Sequence, residues 1–531
     1  MSVTGSSWVR GADIPTLAEQ MSPTGKNSTT TAPKGGAGFL RLCYSPRSTS
    51  GVPRNGTQCG VVNSKRRWSS NGARFTPIAR LALVIAVMIQ VAATVVLFDG
   101  ARWGSHLHPV TRLFPLTVIP FVIAVAALSR SGLTARLQER AIVVVTVVLQ
   151  VIAMTRPPLT SNDDLRYIWD GKVQLAGISP YRYVPNSPAL VRLHTSALFT
   201  HHDCGLPTGC ALLNRPNVHT VYPPVAQAAF DTVRILSFGG HGAYGGQQAF
   251  QVAAGIGVLL ATVLMLRRAR RTSSPIWWVA LWAWCPVVVS EFGNNAHIDW
   301  VAVLFTLGAI AAYVAARPIW SGAFLGAAIA TKLYPVMVLP ALLRRHPLKL
   351  VSAAIGVVVL GYIPQVAAVG AGVIGYLPGY LSEEGYDSGS RLKLLGAVLP
   401  HPYDTYAGVL ILAVLAIVCW SRTDPKRPEF GAVWLAGATF LVMSPDYGWY
   451  ATLLLALIAI TGRWQWLPVV LAPTCTYLYG TTPNQETLIF VAAAVLTFAA
   501  LGATGVRNLR RRRATTSADA RVSQPSAASL S

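Results

Sequence analysis

Apolar runs close to twenty residues long, almost without charge, recur along this chain, as at Ile78 to Phe98, Thr111 to Ser129, Gln248 to Leu266 and Ile298 to Ala316. As a helix, each is long enough to cross a hydrocarbon core of roughly 30 Å. One such run could be the buried helix of a soluble protein, but about a dozen along one chain cannot. Only 12% of the residues are charged, about half the share of an ordinary globular chain. The expected fold is therefore all-α and polytopic in a membrane, because a helix satisfies its own backbone groups where no water can.

Charge sets the expected topology. Residues 1–77 carry ten Lys or Arg against two acids and are rich in Ser, Thr, Gly and Pro, which predicts a disordered basic tail. A second basic tail, 507–531, holds Arg507 and the run Arg510 to Arg513. Beside membrane helices, basic residues mark the cytoplasmic side better than they mark a nucleic-acid partner. Both ends are expected in the cytoplasm of a multi-pass plasma-membrane protein. The first apolar run starts only near residue 78, so no cleavable signal peptide is expected. Further cytoplasmic markers are Arg130, Arg136 and Arg140, then Arg267 to Arg271, Arg344 to Lys349, Arg422 to Arg427, and Arg463. Threading through these points predicts about 12 to 14 crossings over 78–506. Segment 221–238 is then a juxtamembrane helix within an extracytoplasmic region spanning 155–247. The segments 319–332 and 335–343 are half-spans broken at Lys332-Leu333-Tyr334-Pro335.

The same threading puts 155–220, Glu291 to Asp299, the Lys332 turn, 370–405 and Ser444 to Gly448 on the outer side. These stretches hold most of the unusual polar residues, so a single extracytoplasmic site is expected. Its centre is Ser161-Asn162-Asp163-Asp164-Leu165-Arg166-Tyr167-Ile168-Trp169-Asp170-Gly171, which crowds three carboxylates into eight residues of a chain with only 20 acids. Carboxylates beside a membrane span are costly and need a reason. In a helix Asp163, Arg166, Tyr167 and Asp170 share one face. One reading is a capped helix with a local Asp–Arg pair. The other is a general base, an Asp that takes the proton of an attacking hydroxyl.

Other polar positions fit the same site. His297 and Asp299, after Glu291 and Asn294-Asn295, could be a polar helix start, a sugar-binding pair, or with Glu291 a site for a divalent cation. No cofactor is otherwise indicated, and the metal requirement stays open. Lys332 interrupts an apolar segment and wants an anionic partner such as a phosphate, unless it snorkels to the interface. Arg391, in a charged loop with Glu383, Glu384, Asp387 and Lys393, could clamp a phosphate, or that loop could be a solvated face.

These motifs in order resemble a known superfamily. Asp163-x-x-Arg166-Tyr167-x-Trp169-Asp170-Gly171, then Gly177-Ile178-Ser179-Pro180-Tyr181-Arg182-Tyr183, look like the large first extracytoplasmic loop of GT-C polyprenyl-phosphate-sugar transferases. Tyr222-Pro223-Pro224, His297-x-Asp299, Thr331-Lys332-Leu333-Tyr334-Pro335 and Trp449-Tyr450 match in order over roughly 75–505. The likeness is greatest to actinobacterial polyprenyl-phosphomannose-dependent mannosyltransferases of glycosyltransferase family 87. It implies a GT-C-like arrangement and inverting transfer of a hexose, mannose by preference, with no covalent enzyme intermediate. The donor would be a polyprenyl-phosphate sugar, and the acceptor an envelope glycolipid or polysaccharide on the outer face. It places the catalytic acid at Asp163, with Asp164 as a neighbour that leaves the choice open. Lys332, Arg391 and Arg166 become candidates for the donor phosphate. Tyr167, Trp169, Asp170, Tyr181, His297 and Asp299 become candidates for sugar or acceptor. An outward site agrees with a lipid-carried donor, because nucleotide sugars are confined to the cytoplasm, and no Gly-x-x-x-x-Gly-Lys loop is present. The expected partners are thus lipids and glycans, not nucleic acid.

Of seven Cys, Cys204 and Cys210 fall in the outer loop, where an oxidising exterior permits a disulfide. The rival class is a transporter or a flippase of lipid-linked sugars. It predicts broken helices in matching halves of the chain. A single broken pair, near Lys332, is visible.

Overall fold

The computed structural model describes residues 70–100, 108–200, 210–237 and 243–522. The expected basic tail is largely outside this range, as are Cys204 and the side chain of Cys210, so the disulfide pair lies outside the described residues. What is described is a helical bundle whose only strands are the two-residue pair Phe199–Thr200 and Cys210–Ala211, antiparallel.

Seven helices are long and apolar enough to cross a membrane, among them Thr76–Asp99, Arg112–Arg130, Ala135–Met154 and Gly246–Arg271. A pair bent by 46°, Ile276–Ala283 with Pro286–Asn294, makes an eighth if counted as one span. Among the described residues, full-length helices thus supply seven or eight of the about 12 to 14 crossings read from hydropathy. The difference lies in four shorter apolar helices, Asp299–Val314, Pro318–Ile329, Pro428–Met443 and Gly448–Thr461, of 10 to 17 residues. At 1.5 Å per residue they fall short of the hydrocarbon thickness. One of them is wholly surrounded by other helices, every residue of Ala451–Thr461 being buried, whereas Pro318–Ile329 exposes Ile319 and Trp320. Tyr403–Arg422 exposes Val409, Leu410 and Ile417, a surface that belongs against lipid.

The chain breaks where expected. Helix Pro318–Ile329 ends before Lys332, and a 3-10 turn, Tyr334–Val338, follows. Proline at 335 has no backbone donor, so no helix can run unbroken through this turn, and it sits in the first positions of the 3-10 segment. That helix packs closely on Pro347–Val369 through Gly322 and Gly326, four apart. A Cβ at Gly322 would run into the Leu350 carbonyl, and one at Gly326 into that of Ala354. This is the small-x-x-x-small contact of membrane helices.

Segment Pro224–Leu236 forms an amphipathic helix that is not among the candidate spans. It lies against the acidic helix Asp163–Leu175, with Gly171 meeting the Phe230 carbonyl. A second apolar cluster joins them, formed by Tyr167, Trp169, Phe199, Phe230 and Phe250.

Candidate active site

The acidic run begins a helix, Asp163–Leu175, immediately after a fixed entry segment. Leu159 N donates to Asn294 Oδ1 (2.8 Å), and Asn294 Nδ2 donates to the Ala153 and Pro157 carbonyls (3.1 and 3.0 Å). Asn295 Nδ2 donates to Thr160 Oγ1 (2.7 Å), and the Tyr477 hydroxyl donates to the Thr160 carbonyl (2.5 Å). The bent pair and the helix Leu467–Tyr479 thus hold the chain just ahead of Asp163. Ser161 Oγ accepts from Asp163 N (3.2 Å), whereas Asn162 makes no side-chain cap.

Asp163 lines a cavity of about 590 Å³ with Asn214, Lys332, Glu384, Trp449 and Tyr477 on its walls. Its carboxylate accepts from Asn214 Nδ2 and, at 3.2 Å, from the Tyr222 hydroxyl. His297 Nε2 lies 3.9 Å from Asp163 Oδ2 and 3.1 Å from Ser161 Oγ, and Nδ1 is 2.9 Å from Glu291 Oε2. Burial lowers the basicity of His297, but the Glu291 carboxylate more than offsets this and holds its pKa above the ordinary histidine value. The His297 ring and Tyr447 each lie against Trp449, with centroids 4.2 and 4.4 Å away.

Asp164 takes no part in this wall. It is fully buried, and loss of hydration pushes its pKa up to about 7. Adjacent carboxylates are therefore separated by one helical step, one towards the cavity and one into packed protein.

Lys332 lies 3.5 Å from Asp299 Oδ2 and over the rings of Tyr222 and Tyr450, 5.2 and 5.7 Å from their centroids. It also lines a second, apolar groove of about 340 Å³, between Leu333, Met337, Leu381, Leu412 and Met443. Cavity and groove share Val221, Tyr222, Lys332, Tyr380 and Tyr450. The cation therefore stands where a polar chamber meets an apolar one.

Several sequence candidates sit elsewhere. Arg166 borders the cavity, but its guanidinium is occupied: Nε donates to Asp170 Oδ1 (2.9 Å), and Nη1 and Nη2 donate to the Arg215 and Val218 carbonyls (each 3.2 Å). Asp170 also accepts from Thr220 Oγ1 (2.7 Å) and Gln227 Nε2 (2.9 Å), so it is a buried hub and does not line the cavity. Tyr167 stacks on Phe230 (4.4 Å), and Trp169 packs edge-on against Phe199 (5.0 Å). Tyr181 donates to the Tyr222 carbonyl (2.6 Å). Arg391 is buried with Glu384 and Asp446 (2.7 Å to the latter), and Lys393 joins Asp446 (2.9 Å) and Glu486 (2.6 Å).

The suggested cation trio of Glu291, His297 and Asp299 is split, since Glu291 faces His297 while Asp299 faces Lys332. Among the described residues no group of three His, Cys, Asp or Glu is arranged to hold a metal. Asn214, Tyr380 and Tyr477 are cavity residues that the sequence reading passed over. They stand far from Asp163 in the chain, and nothing local marks them.

No curated protein and no solved structure matches the chain. The model of glycosyltransferase family 87 matches residues 220–445, a segment that holds Tyr222, His297, Asp299, Lys332 and Arg391 and begins after the acidic helix. The match covers less than half of the chain, and with the apolar helices around it this segment is similar to the membrane glycosyltransferases of family 87.

Proposed function

We propose that the enzyme transfers a hexose, mannose by preference, from a polyprenyl-phosphate carrier to a glycolipid or polysaccharide of the cell envelope, on the outer face of the membrane. The observation that carries this reading is the shared wall between the polar cavity and the apolar groove, with Lys332 in it. A polyprenyl-phosphate sugar has the same division, an apolar tail joined through a phosphate to a polar ring. In this reading the tail lies in the groove, the phosphate meets Lys332, and the sugar projects towards Asp163.

The reaction is then one displacement. The acceptor hydroxyl attacks the anomeric carbon, the bond from that carbon to the phosphate oxygen breaks, and the configuration inverts. Asp163 takes the hydroxyl proton, which general-base catalysis values at about 10²–10⁴-fold in rate. Polyprenyl phosphate leaves with its extra charge beside Lys332. Asn214 and Tyr222 orient the Asp163 carboxylate through the hydrogen bonds they donate to it.

The test supplies purified enzyme with radiolabelled polyprenyl-phosphate mannose, glucose or arabinose and membrane acceptors. Asp163→Asn should slow transfer by about 10²–10⁴-fold, and Asp164→Asn should transfer as the unmodified enzyme does. Full transfer by Asp163→Asn removes the base. Movement of lipid-linked sugar without any glycosidic product makes the protein a transporter.

A further inference from the structure

A third cavity, of about 730 Å³, lies between the end of helix Tyr403–Arg422 and the start of helix Pro428–Met443. This cavity shares no lining residue with the polar cavity or the apolar groove, although Ala438 here and Thr439 in the groove are neighbours on helix Pro428–Met443. Arg427 stands at the end of that helix opposite Met443, so the basic mouth is separate from the proposed site of transfer.

Its mouth is basic. Arg422, Arg427 and Arg463 all line it, against the single carboxylate of Asp424 at the rim. Arg427 and Arg463 both stand over the Phe430 ring, their guanidinium carbons 4.4 and 5.4 Å from its centroid. The nearest other carboxylate, Glu429, is held by Arg268 at 2.5 Å and reaches Arg427 only at 3.9 Å. Among the described residues Arg422 and Arg463 have no ion pair, and Arg463 Nε is buried without a hydrogen-bond acceptor. Guanidinium groups gathered in this way present planar donor forks suited to a phosphate.

The floor is apolar, formed by Leu415, Val418, Trp434, Leu435 and Ala438. It is continuous with the lipid-facing side of Tyr403–Arg422, where Ile417 and Val418 are exposed. A soluble anion has no use for such a floor.

We infer that this cavity is a binding site for one anionic phospholipid, its phosphate among Arg422, Arg427 and Arg463 and an acyl chain against Trp434 and Leu435. Charge complementarity selects an anionic headgroup, and the apolar floor selects a lipid over a free phosphate.

Native mass spectrometry of the full chain in detergent tests this, with phosphatidylglycerol, phosphatidylcholine of the same chains, and glycerol 3-phosphate as three separate probes. Phosphatidylglycerol should be retained one to a chain, and the other two should not. Arg427→Gln with Arg463→Gln should weaken retention at least about tenfold, the factor of one lost charge-assisted hydrogen bond. Ala438→Trp, which fills the floor and leaves every arginine in place, should weaken it as well. Equal elution of each variant as a single species in size exclusion separates lost binding from misfolding. Unchanged phosphatidylglycerol retention in both variants overturns the site. Equally tight binding of glycerol 3-phosphate makes the ligand a soluble anion, and a dimer mass that vanishes with the arginines makes the occupant a second copy of the chain. Either result overturns the lipid assignment.

Discussion

Replacement of Asp170 separates a buried brace from a substrate contact. Its carboxylate accepts three hydrogen bonds, from Arg166 on one oxygen and from Thr220 and Gln227 on the other. Asp170→Leu removes every acceptor and leaves the Arg166 guanidinium buried without an anion. Removing one partner of a buried ion pair costs about 3–5 kcal/mol. Asp170→Asn has two orientations. If its oxygen faces Thr220 and Gln227, its amide meets the guanidinium, donor against donor. If its oxygen faces Arg166, one of those bonds survives and two donors lose their acceptor. Each unsatisfied buried group costs about 1–3 kcal/mol, so an arrangement with two of them loses about 2–6 kcal/mol. The loss should appear as a lower unfolding midpoint in a denaturing-detergent titration, larger for Leu than for Asn. In the fraction that remains folded, the KM for lipid-linked sugar should be unchanged, because Asp170 lies outside the cavity. Normal stability combined with a raised donor KM would refute the reasoning, since it would put Asp170 on the substrate.

Four further outcomes follow from the same geometry. Asp164 has a pKa raised by burial from 3.8 to about 7, so the folded state holds its proton more tightly than the unfolded chain does. Stability should therefore fall as pH rises from about 4 to 7 and level off above, and Asp164→Asn should flatten that slope in unfolding measured against pH. Lys332→Met should raise the donor KM at least about tenfold and also destabilise the fold by stranding Asp299. Adding Asp299→Asn should restore much of the stability but not the KM, read as a double-mutant cycle. Gly326→Val should force the two helices apart and cost about 1–3 kcal/mol as overpacking, visible as lower thermal resistance in detergent. Asn294→Ala should release the segment before Asp163. It should lower kcat together with stability, whereas Asn214→Ala should lower kcat alone, as steady-state kinetics and unfolding curves on the same preparations will show.

How much of this was legible in the sequence depended on the range of the interactions involved. Apolar runs such as Ile78 to Phe98 announce a membrane helix because the signal is local and continuous. The break at Lys332 was legible for the same reason, with a cation and a proline marking it within four residues. The Arg166–Asp170 pair follows from helical spacing. What it does could not be read, because its other partners, Thr220 and Gln227, stand about fifty residues on. Tyr167, Trp169 and Tyr181 read as sugar-stacking rings since aromatic residues near an interface suit either role. Their burial against Phe230, Phe199 and the Tyr222 carbonyl is a tertiary fact. Arg391 was read in a charged loop with Glu384, but that the loop is buried through Asp446, distant in the chain, is again a tertiary fact. Hydropathy counts short apolar helices together with full-length ones, since it measures how apolar a segment is and says little about where its helix stops. The neighbours Asp163 and Asp164 differ only in direction, which a single helical step decides.

The four short helices have one further consequence. Asp299 starts one, Lys332 follows the end of another, Ser444 follows a third, and Gly448 begins the fourth. Each is about 18–24 Å long at the helical rise per residue, and each stops at or beside the cavity. In the function proposed above, the depth of bilayer they leave unfilled would hold that cavity, a well sunk below the level of the lipid headgroups. A carrier lipid would present its phosphate there without leaving the hydrocarbon, whereas a water-borne substrate would have to descend several ångströms to reach it.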